Sequence, residues 1–495
     1  MRRLTSRWET DASLWWMIAI AAVARLVSLG LYPVMDKTEA RYAEIARKMA
    51  ELGDWVTPWF DHGVPFWGKP PLSFWMSAAS FKVLGVSEFA ARLPHWLGGC
   101  AIAWLVWGWL VGRSRREAVI SLALVTGSAA LFLAAGAVMT DIALGLGTTM
   151  SMRGFWLGLH GDPAGRFREQ ALFFAGLAIG LLAKGPIAAV LVGLPLAVWT
   201  LRFGKLGLIA REFRWVSGLL LTTMLVVPWY VLAELRTPGF LEYFLIGEHW
   251  HRFVTPGWRG DLYGTAHAFP RGSIWLFAIA AFLPWSVLIP VASLWWRRTV
   301  APAPAADRPL RLYLLLWALT PCAFFSLAGN ILWTYVLPGL PALSMLLALW
   351  LARVPQGAQV NRLLAGGVGV MVLGIGAAVV AINVGSWGEE GSTRDLVTDY
   401  DLHREDGQAL IFLQHRPASA AFYSRGRAEE VCCADELLAR LAHAPVYVVI
   451  ADAHRDKLPK ALFARLHSVS HRGRYELFRS GPAPSQDRRA PAATP

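Results

Sequence analysis

The residues of this chain that could do chemistry are gathered in a few short runs set in apolar sequence. The first is a polar stretch, residues 35–95, reading MDKTEARYAEIARKMAELGDWVTPWFDHGVPFWGKPPLSFWMSAASFKVLGVSEFAARLPH. It carries Asp36, Glu39, Arg41 and Glu44, then Lys69 directly ahead of Pro70 and Pro71. Two successive prolines fix φ and remove two backbone donors, so the backbone beyond Lys69 is stiff. An ammonium presented from a rigid loop suits an anionic lipid headgroup; the plainer reading is a lysine snorkelling at a membrane boundary. The other runs are Asp141 in VMTDIALG, Lys184 in LLAKGPIAAV, and GEHWHRF, which supplies Glu248, His249, His251 and Arg252. Asp141 reads either as a helix cap or as a site carboxylate, and Lys184 inside apolar sequence is a functional candidate by default. Two imidazoles and a carboxylate look like metal ligands. Yet His249 and His251 fall about 200° apart around a helix with roughly 3.6 residues per turn, so one helix aims them at different faces. Cations beside carboxylates suit transfer of a group away from a phosphate. The cations offset charge gathering on the departing phosphate, and a carboxylate acts as base if the acceptor is a hydroxyl. An acceptor that is itself an ionised phosphate needs no strong base.

The elements that must position these residues are membrane spans. Hydrophobic residues make up 55% of the 495 and charged ones 16%, at mean hydropathy +0.42, where soluble chains carry about 25% charged residues. The 25 Trp fit aromatic belts at two membrane interfaces. The net charge of +13 does not point to nucleic acid, because many basic residues flank spans. Cys100, Cys322, Cys432 and Cys433 are too few and too poorly spaced for a disulfide framework or a zinc motif, and the Cys432-Cys433 pair reads as structural. The opening MRRLTSRWETDAS precedes an apolar run broken by Arg25 and lacking a small-residue cleavage site, which reads as an uncleaved first span.

Apolar runs of spanning length fall near 14–34, 96–112, 117–138, 142–159, 171–183, 185–202, 214–233, 274–296, 310–328, 333–352 and 363–384. The fold class is therefore a polytopic α-helical membrane protein of about 11–13 spans, with the large first loop 35–95 inside a membrane domain covering 1–386. Basic residues recur in alternate connectors: Arg113, Arg115 and Arg116; Arg166 and Arg168; Arg202, Lys205, Arg211 and Arg214; Arg297, Arg298 and Arg311; Arg353 and Arg362. By the positive-inside rule those connectors are cytoplasmic. The first loop, the turns at Asp141, Lys184 and Asn330 and the connector 234–273 then share the outer face. Within the first loop TEARYAEIARKMAELGD reads as a helix capped by Thr38, whose charges taken singly form a solvated face. From 387 to 480 the sequence turns polar, with strand-like runs at 409–413 and 446–450 around an amphipathic DELLARLAHA, which reads as a small extracytoplasmic α/β domain. Residues 481–495, rich in Pro and Ala, read as a disordered tail.

TEARYAEIARKM, GDW, GKPPLSFW and LGVSEFAARLP closely resemble the first loop of the bacterial 4-amino-4-deoxy-L-arabinose lipid A transferases. That family sits in the protein-O-mannosyltransferase-like, GT-C glycosyltransferase superfamily. Thr140-Asp141, LAKGPIA, EHWHRF and TYVLPGLPAL extend the resemblance over about residues 14–350. It implies a GT-C fold and transfer of a sugar from undecaprenyl phosphate to lipid A at the periplasmic face of the bacterial inner membrane. The partners implied are the undecaprenyl-phosphate-linked donor, lipid A and the bilayer, with no nucleic acid and no cofactor. Carried onto matching positions, it implies Lys69, Arg41, Lys184, Arg252 and Tyr335 at the donor phosphate, and Glu39 and Asp141 as catalytic carboxylates, with Asp36 a stand-in for a missing acid.

The chain departs from the family pattern. Thr38 stands where the family has an aspartate, Gly68 where it has a glutamate before Lys-Pro-Pro, and Asn330-Ile331-Leu332-Trp333 lacks its Lys-Leu element. Losing that glutamate removes a metal contact, so transfer is expected to need no metal, with Glu248, His249 and His251 only weak ligand candidates. A weakened acidic pair is better tolerated with a phosphate acceptor than with a hydroxyl. Which sugar moves stays open: aminoarabinose, glucosamine, galactosamine and galacturonate all fit. A lipid or sugar transporter, a transferase to a hydroxyl and an inactive homologue are the other readings. Transport sites favour repeats and interrupted helices at mid-membrane, whereas the charges here gather in outer-face segments.

Overall fold

The computed structural model describes residues 2–481 apart from 265, 266, 406 and 443. Of the expected tail, 481–495, all but Gly481 lies outside the described residues. Two compact units emerge, one of 1–31 and 45–377, the other of 32–44 and 378–495.

In the first unit helices stand at every apolar run read from the sequence. They include α1 (Arg2–Ser28), then, after the first loop, α4 (Glu88–Leu110), α5 (Arg115–Thr126), α6 (Ala129–Ala134), α7 (Thr140–His160), α8 (Arg166–Lys184), α9 (Ile187–Phe203), α10 (Leu206–Glu212) and α11 (Trp215–Arg236). Helices at 273–281, 285–296, 308–325, 333–351 and 357–384 follow. Trp215–Arg236, Trp333–Leu351 and Gly357–Val384 are long and apolar enough to cross a membrane on those criteria alone, and counting two bent pairs raises the number to five. The remaining helices are shorter or carry more charge. Two expected spans are broken: 117–138 divides into α5 and α6, and 274–296 bends by 78° around Leu283-Pro284, where proline cannot continue a helix.

Arg25, the charge that interrupts the first apolar run, is buried and satisfied by backbone. Its guanidinium donates to Phe132 O and Leu133 O, each at 2.9 Å, just before Gly136. The closest helix contact joins α7 to α8. A Cβ on Gly147 would sit 2.6 Å from Gly176 O and Gly180 N, and one on Gly154 would sit 2.5 Å from Glu169 O and Phe173 N. Small residues let two backbones meet at such distances. This contact brings the start of α7, with Asp141, against the end of α8, with Lys184.

The first loop is built rather than loose. It forms α2 (Thr38–Leu52), a short hairpin of β1 (Trp59–Asp61) and β2 (Val64–Pro65), and α3 (Leu72–Leu84) with Pro71 at its N-cap. The turn between helix and hairpin closes on Asp54, whose carboxylate accepts Val56 N–H at 3.0 Å and Thr57 N–H at 3.1 Å. The expected solvated face of α2 is not observed along its middle, where Glu44, Arg47 and Lys48 are 3–4% exposed; only its ends, at Thr38, Glu51 and Leu52, are exposed. At its entrance the Glu39 carboxylate accepts the Met35 N–H at 3.0 Å.

The second unit carries a five-stranded sheet ordered β4-β3-β5-β7-β6, from β3 (Leu410–Leu413), β4 (Ala428–Val431), β5 (Tyr447–Ala451), β6 (Leu466–Arg472) and β7 (Tyr475–Ser480). β3 pairs in parallel with β4 and β5, and β7 runs antiparallel to β5 and β6. The expected amphipathic helix is Ala434–Leu441, with Leu437 fully buried. The unit is discontinuous, since it includes 32–44, which the sequence reading left in the membrane domain.

Candidate functional site

The first unit holds a half-open cavity of about 380 Å³ whose wall carries Lys69, Lys184, Arg252 and Glu248 among mainly apolar side chains. Three cations thus face the space with one carboxylate.

Each cation is held in place. Lys69 follows Trp67, whose backbone N–H donates to Tyr263 Oη at 2.9 Å while Tyr263 Oη donates to Pro65 O at 2.8 Å. Pro70 and Pro71 then lead into α3. The Lys69 ammonium meets Glu248 Oε2 at 2.9 Å. Glu248 sits on a turn of π-helix, Tyr243–His251, a widened geometry frequent at functional sites. Arg252, four residues on, reaches both Glu248 oxygens at 3.1 and 3.2 Å and Asp261 Oδ2 at 3.2 Å. Glu248 is therefore a buried anchor that sets two cations side by side. Burial would raise its carboxyl, but the Lys69 ammonium and Arg252 guanidinium carry it below the ordinary carboxylate range. Asn330 fixes the chain beyond Arg252, donating to Arg252 O at 2.6 Å and Thr255 O at 2.8 Å and accepting from Gly257 N–H at 2.9 Å.

Lys184 donates to Asp141 Oδ1 at 2.6 Å, with both side chains buried, and its ammonium lies 4.4 Å from the centre of the Tyr335 ring. Two residues read separately from the sequence, one for the acceptor side and one for the donor phosphate, are thus partners. Asp141 is the buried counter-charge of the Lys184 ammonium.

Asp36 is likewise committed. Its oxygens accept the backbone N–H of Ser419 at 3.0 Å and the Ser419 hydroxyl, a tie within the second unit. Glu39 and Arg41 belong to the same segment, 32–44, and are not among the cavity-lining residues.

Glu248, His249 and His251 do not form a metal site. Both Glu248 oxygens are bonded to cations. His249 places Nδ1 2.7 Å from Phe244 O and Nε2 3.2 Å from Lys184 O, and His251 stacks on Trp258. At the position of the family's missing glutamate, a Cβ on Gly68 would sit 2.8 Å from Phe66 Cζ. The Phe66 ring, 3% exposed and packed on Tyr263 with centroids 4.6 Å apart, fills that space. These residues do not fit a bound metal.

Sequence reasoning missed Asp261 and Asn330 as supports and Glu248 as the anchor. The Glu248–Arg252 spacing of four was a readable signal; Asp261 lies nine residues from Arg252 at no regular spacing and Asn330 lies 78 away, so neither left one.

Residues 14–244 match the family described as dolichyl-phosphate-mannose-protein mannosyltransferase. The chain is 31% identical over 336 residues to an undecaprenyl phosphate-alpha-4-amino-4-deoxy-L-arabinose arabinosyl transferase of Pseudomonas fluorescens (strain Pf0-1), covering 65% of this chain and 54% of that protein. The namesake protein of Yersinia pestis (strain Pestoides F) is 28% identical, over 72% of this chain and 62% of its own length. The chain thus spans less than two thirds of these curated relatives. The fold also matches the crystal structure of ArnT from Cupriavidus metallidurans bound to undecaprenyl phosphate, at TM-score 0.77 and 22% identity over 94% of this chain and 99% of that one. The chain is thus similar to these transferases in sequence and to ArnT in fold. Its fold is accordingly a polytopic GT-C membrane domain joined to a small C-terminal α/β domain.

Proposed function

We propose that this chain is a polyprenyl-phosphate-sugar-dependent glycosyltransferase of the bacterial inner membrane. It moves a sugar, an amino sugar by resemblance to the arabinosyl transferases, from undecaprenyl phosphate to a lipid A phosphate at the periplasmic face. The observation that carries this reading is the cavity wall of Lys69, Lys184 and Arg252, held by buried carboxylates in an otherwise apolar setting. An apolar wall suits a polyprenyl chain, and fixed cations suit its phosphate.

The chemistry follows from charge. As the bond from the anomeric carbon to the donor phosphate oxygen breaks, the departing phosphate goes from one negative charge to two. Cations already fixed around it stabilise that second charge without reorganising. An oxygen of the acceptor phosphate, already ionised, forms the new bond to the same carbon. Glu248, the carboxylate on the cavity wall, is ion-paired and a weak base, which supports a phosphate acceptor over a hydroxyl. Arg41 is assigned a forked contact to the donor phosphate and Glu39 the acceptor side, both from the motif they share with the family.

The test is transfer by the purified protein from undecaprenyl-phosphate-linked sugars to lipid A, read by mass spectrometry of the lipid. Lys69→Ala is expected to lower transfer by about 10²–10³ while the protein still inserts and purifies normally. Near-normal transfer by that variant, or no sugar added to lipid A by the unaltered protein with any of the candidate donors, would overturn the assignment.

A further inference from the structure

The second unit holds a group of side chains that sugar transfer does not use. β4 ends at Val431, and the chain turns through Cys432 and Cys433 into the helix Ala434–Leu441, with Cys433 at its N-cap. Adjacent residues of a strand point to opposite faces. At this corner both thiols instead turn to one side, Sγ to Sγ 2.9 Å. One turn into the helix, Glu436 brings its carboxylate back to the same spot, where Oε2 accepts the Cys432 N–H at 2.9 Å. The two sulfurs and a Glu436 oxygen lie within 4.8 Å of one another, the one such set of His, Cys, Asp or Glu ligand atoms among the described residues. Packing does not explain these cysteines: Cys432 is exposed and Cys433 partly so, whereas Cys322 is buried as a core cysteine is.

A disulfide suits the pair poorly. Consecutive Cα atoms across a trans peptide stand about 3.8 Å apart, and the peptide between Cys432 and Cys433 is not cis. Disulfides want about 4.4–6.8 Å between Cα atoms. A metal ion makes no such demand, since it sits about 2.3 Å from each sulfur and about 2.0–2.2 Å from a carboxylate oxygen. A binding cation would displace the thiol protons as it takes the sulfurs as thiolates.

We propose that Cys432, Cys433 and Glu436 form a surface site for a thiophilic divalent cation of the zinc class, held by two thiolates and one carboxylate with the fourth position open. Hard cations such as magnesium and calcium prefer all-oxygen sites and are excluded by the sulfurs. The ion would fasten the end of β4 to the helix that follows it.

The experiment uses the full chain in detergent, reduced, stripped with chelator and titrated with cadmium and then zinc in the presence of excess magnesium. One equivalent of cadmium is expected to raise a thiolate-to-metal absorption band, zinc to displace it, and magnesium to do neither. Glu436→Gln should keep the band and weaken binding by at least the roughly 10–100-fold that loss of a supporting group brings. Cys432→Ser/Cys433→Ser should abolish the band while leaving transfer to lipid A unchanged. Absence of the band in the unaltered protein, or equal binding by the double serine variant, would overturn the proposal. So would finding both thiols as a mutual disulfide that, once reduced, takes up no cadmium.

Discussion

Glu248 shows how one buried carboxylate can make a cationic site stable. Unpaired, Lys69 and Arg252 would repel each other in a mainly apolar space; with Glu248 between them they stand ready for a phosphate. Lys184 has its own counter-charge in Asp141. Removing one partner of a buried pair costs about 3–5 kcal/mol, whereas replacing both with apolar residues is often neutral. Asp141→Leu alone should therefore destabilise the protein by that amount, and Asp141→Leu/Lys184→Met should restore the thermal midpoint but not transfer. Recovery of transfer in the double variant would show that Lys184 does not serve the phosphate. Gly68 offers a second test. Restoring the family's acid, Gly68→Glu, drives a side chain into the Phe66 ring, and overpacking of this kind costs about 1–3 kcal/mol. The expected variant is less stable by thermal melting, and its residual transfer is as indifferent to chelator as that of the unaltered protein.

At the scale of elements, the α7–α8 contact is what aligns Asp141 with Lys184. Gly147→Val places its Cβ against backbone atoms of Gly176 and Gly180, which cannot move aside as a side chain can. A loss of about 1–3 kcal/mol or more is expected, together with a fall in transfer, measured as thermal midpoint in detergent and as lipid A product. Such contacts also mark where sequence reading succeeds and where it stops. Spans were legible because twenty-odd apolar residues leave the backbone no other way to satisfy its hydrogen bonds in lipid. The strands at 410–413 and 447–451 were legible as short runs of β-branched and large apolar residues, while β4, β6 and β7 were missed because AEEV, LHSVSHR and YELFRS alternate too weakly with polar residues. Lys69, Lys184 and Arg252 announced themselves as charges in apolar or proline-stiffened settings. Their pairing did not, since Lys69 and Glu248 lie 179 residues apart and Lys184 and Asp141 lie 43 apart, and no local pattern encodes such meetings.

At the scale of the molecule, acid should weaken the second unit. In the second unit Arg472 bonds Asp399 at 2.8 and 3.2 Å. Burial would raise the Asp399 carboxyl, but the bonds and charge of Arg472 bring it below the ordinary aspartate value. The folded state then binds this proton less readily than the unfolded chain does. The pair's contribution is present above the unfolded value of about 3.9 and is lost as pH falls through the lower folded one. Arg472→Gln should lower the melting temperature of the second unit near neutral pH and narrow that deficit in acid. A deficit that stays constant with pH would show that the pair's charge is not what Arg472 supplies.

The tie between Asp36 and Ser419 spans 383 residues, and that between Val34 and Tyr423 spans 389. A chain is made from its N-terminus at about 5–20 residues per second, so the segment ahead of α2 emerges well before its lasting partners. For some tens of seconds during synthesis, Asp36 and Val34 must wait without them while the spans between are inserted one by one. The motif shared with the arabinosyl transferases is thus made long before the partners that hold its leading segment.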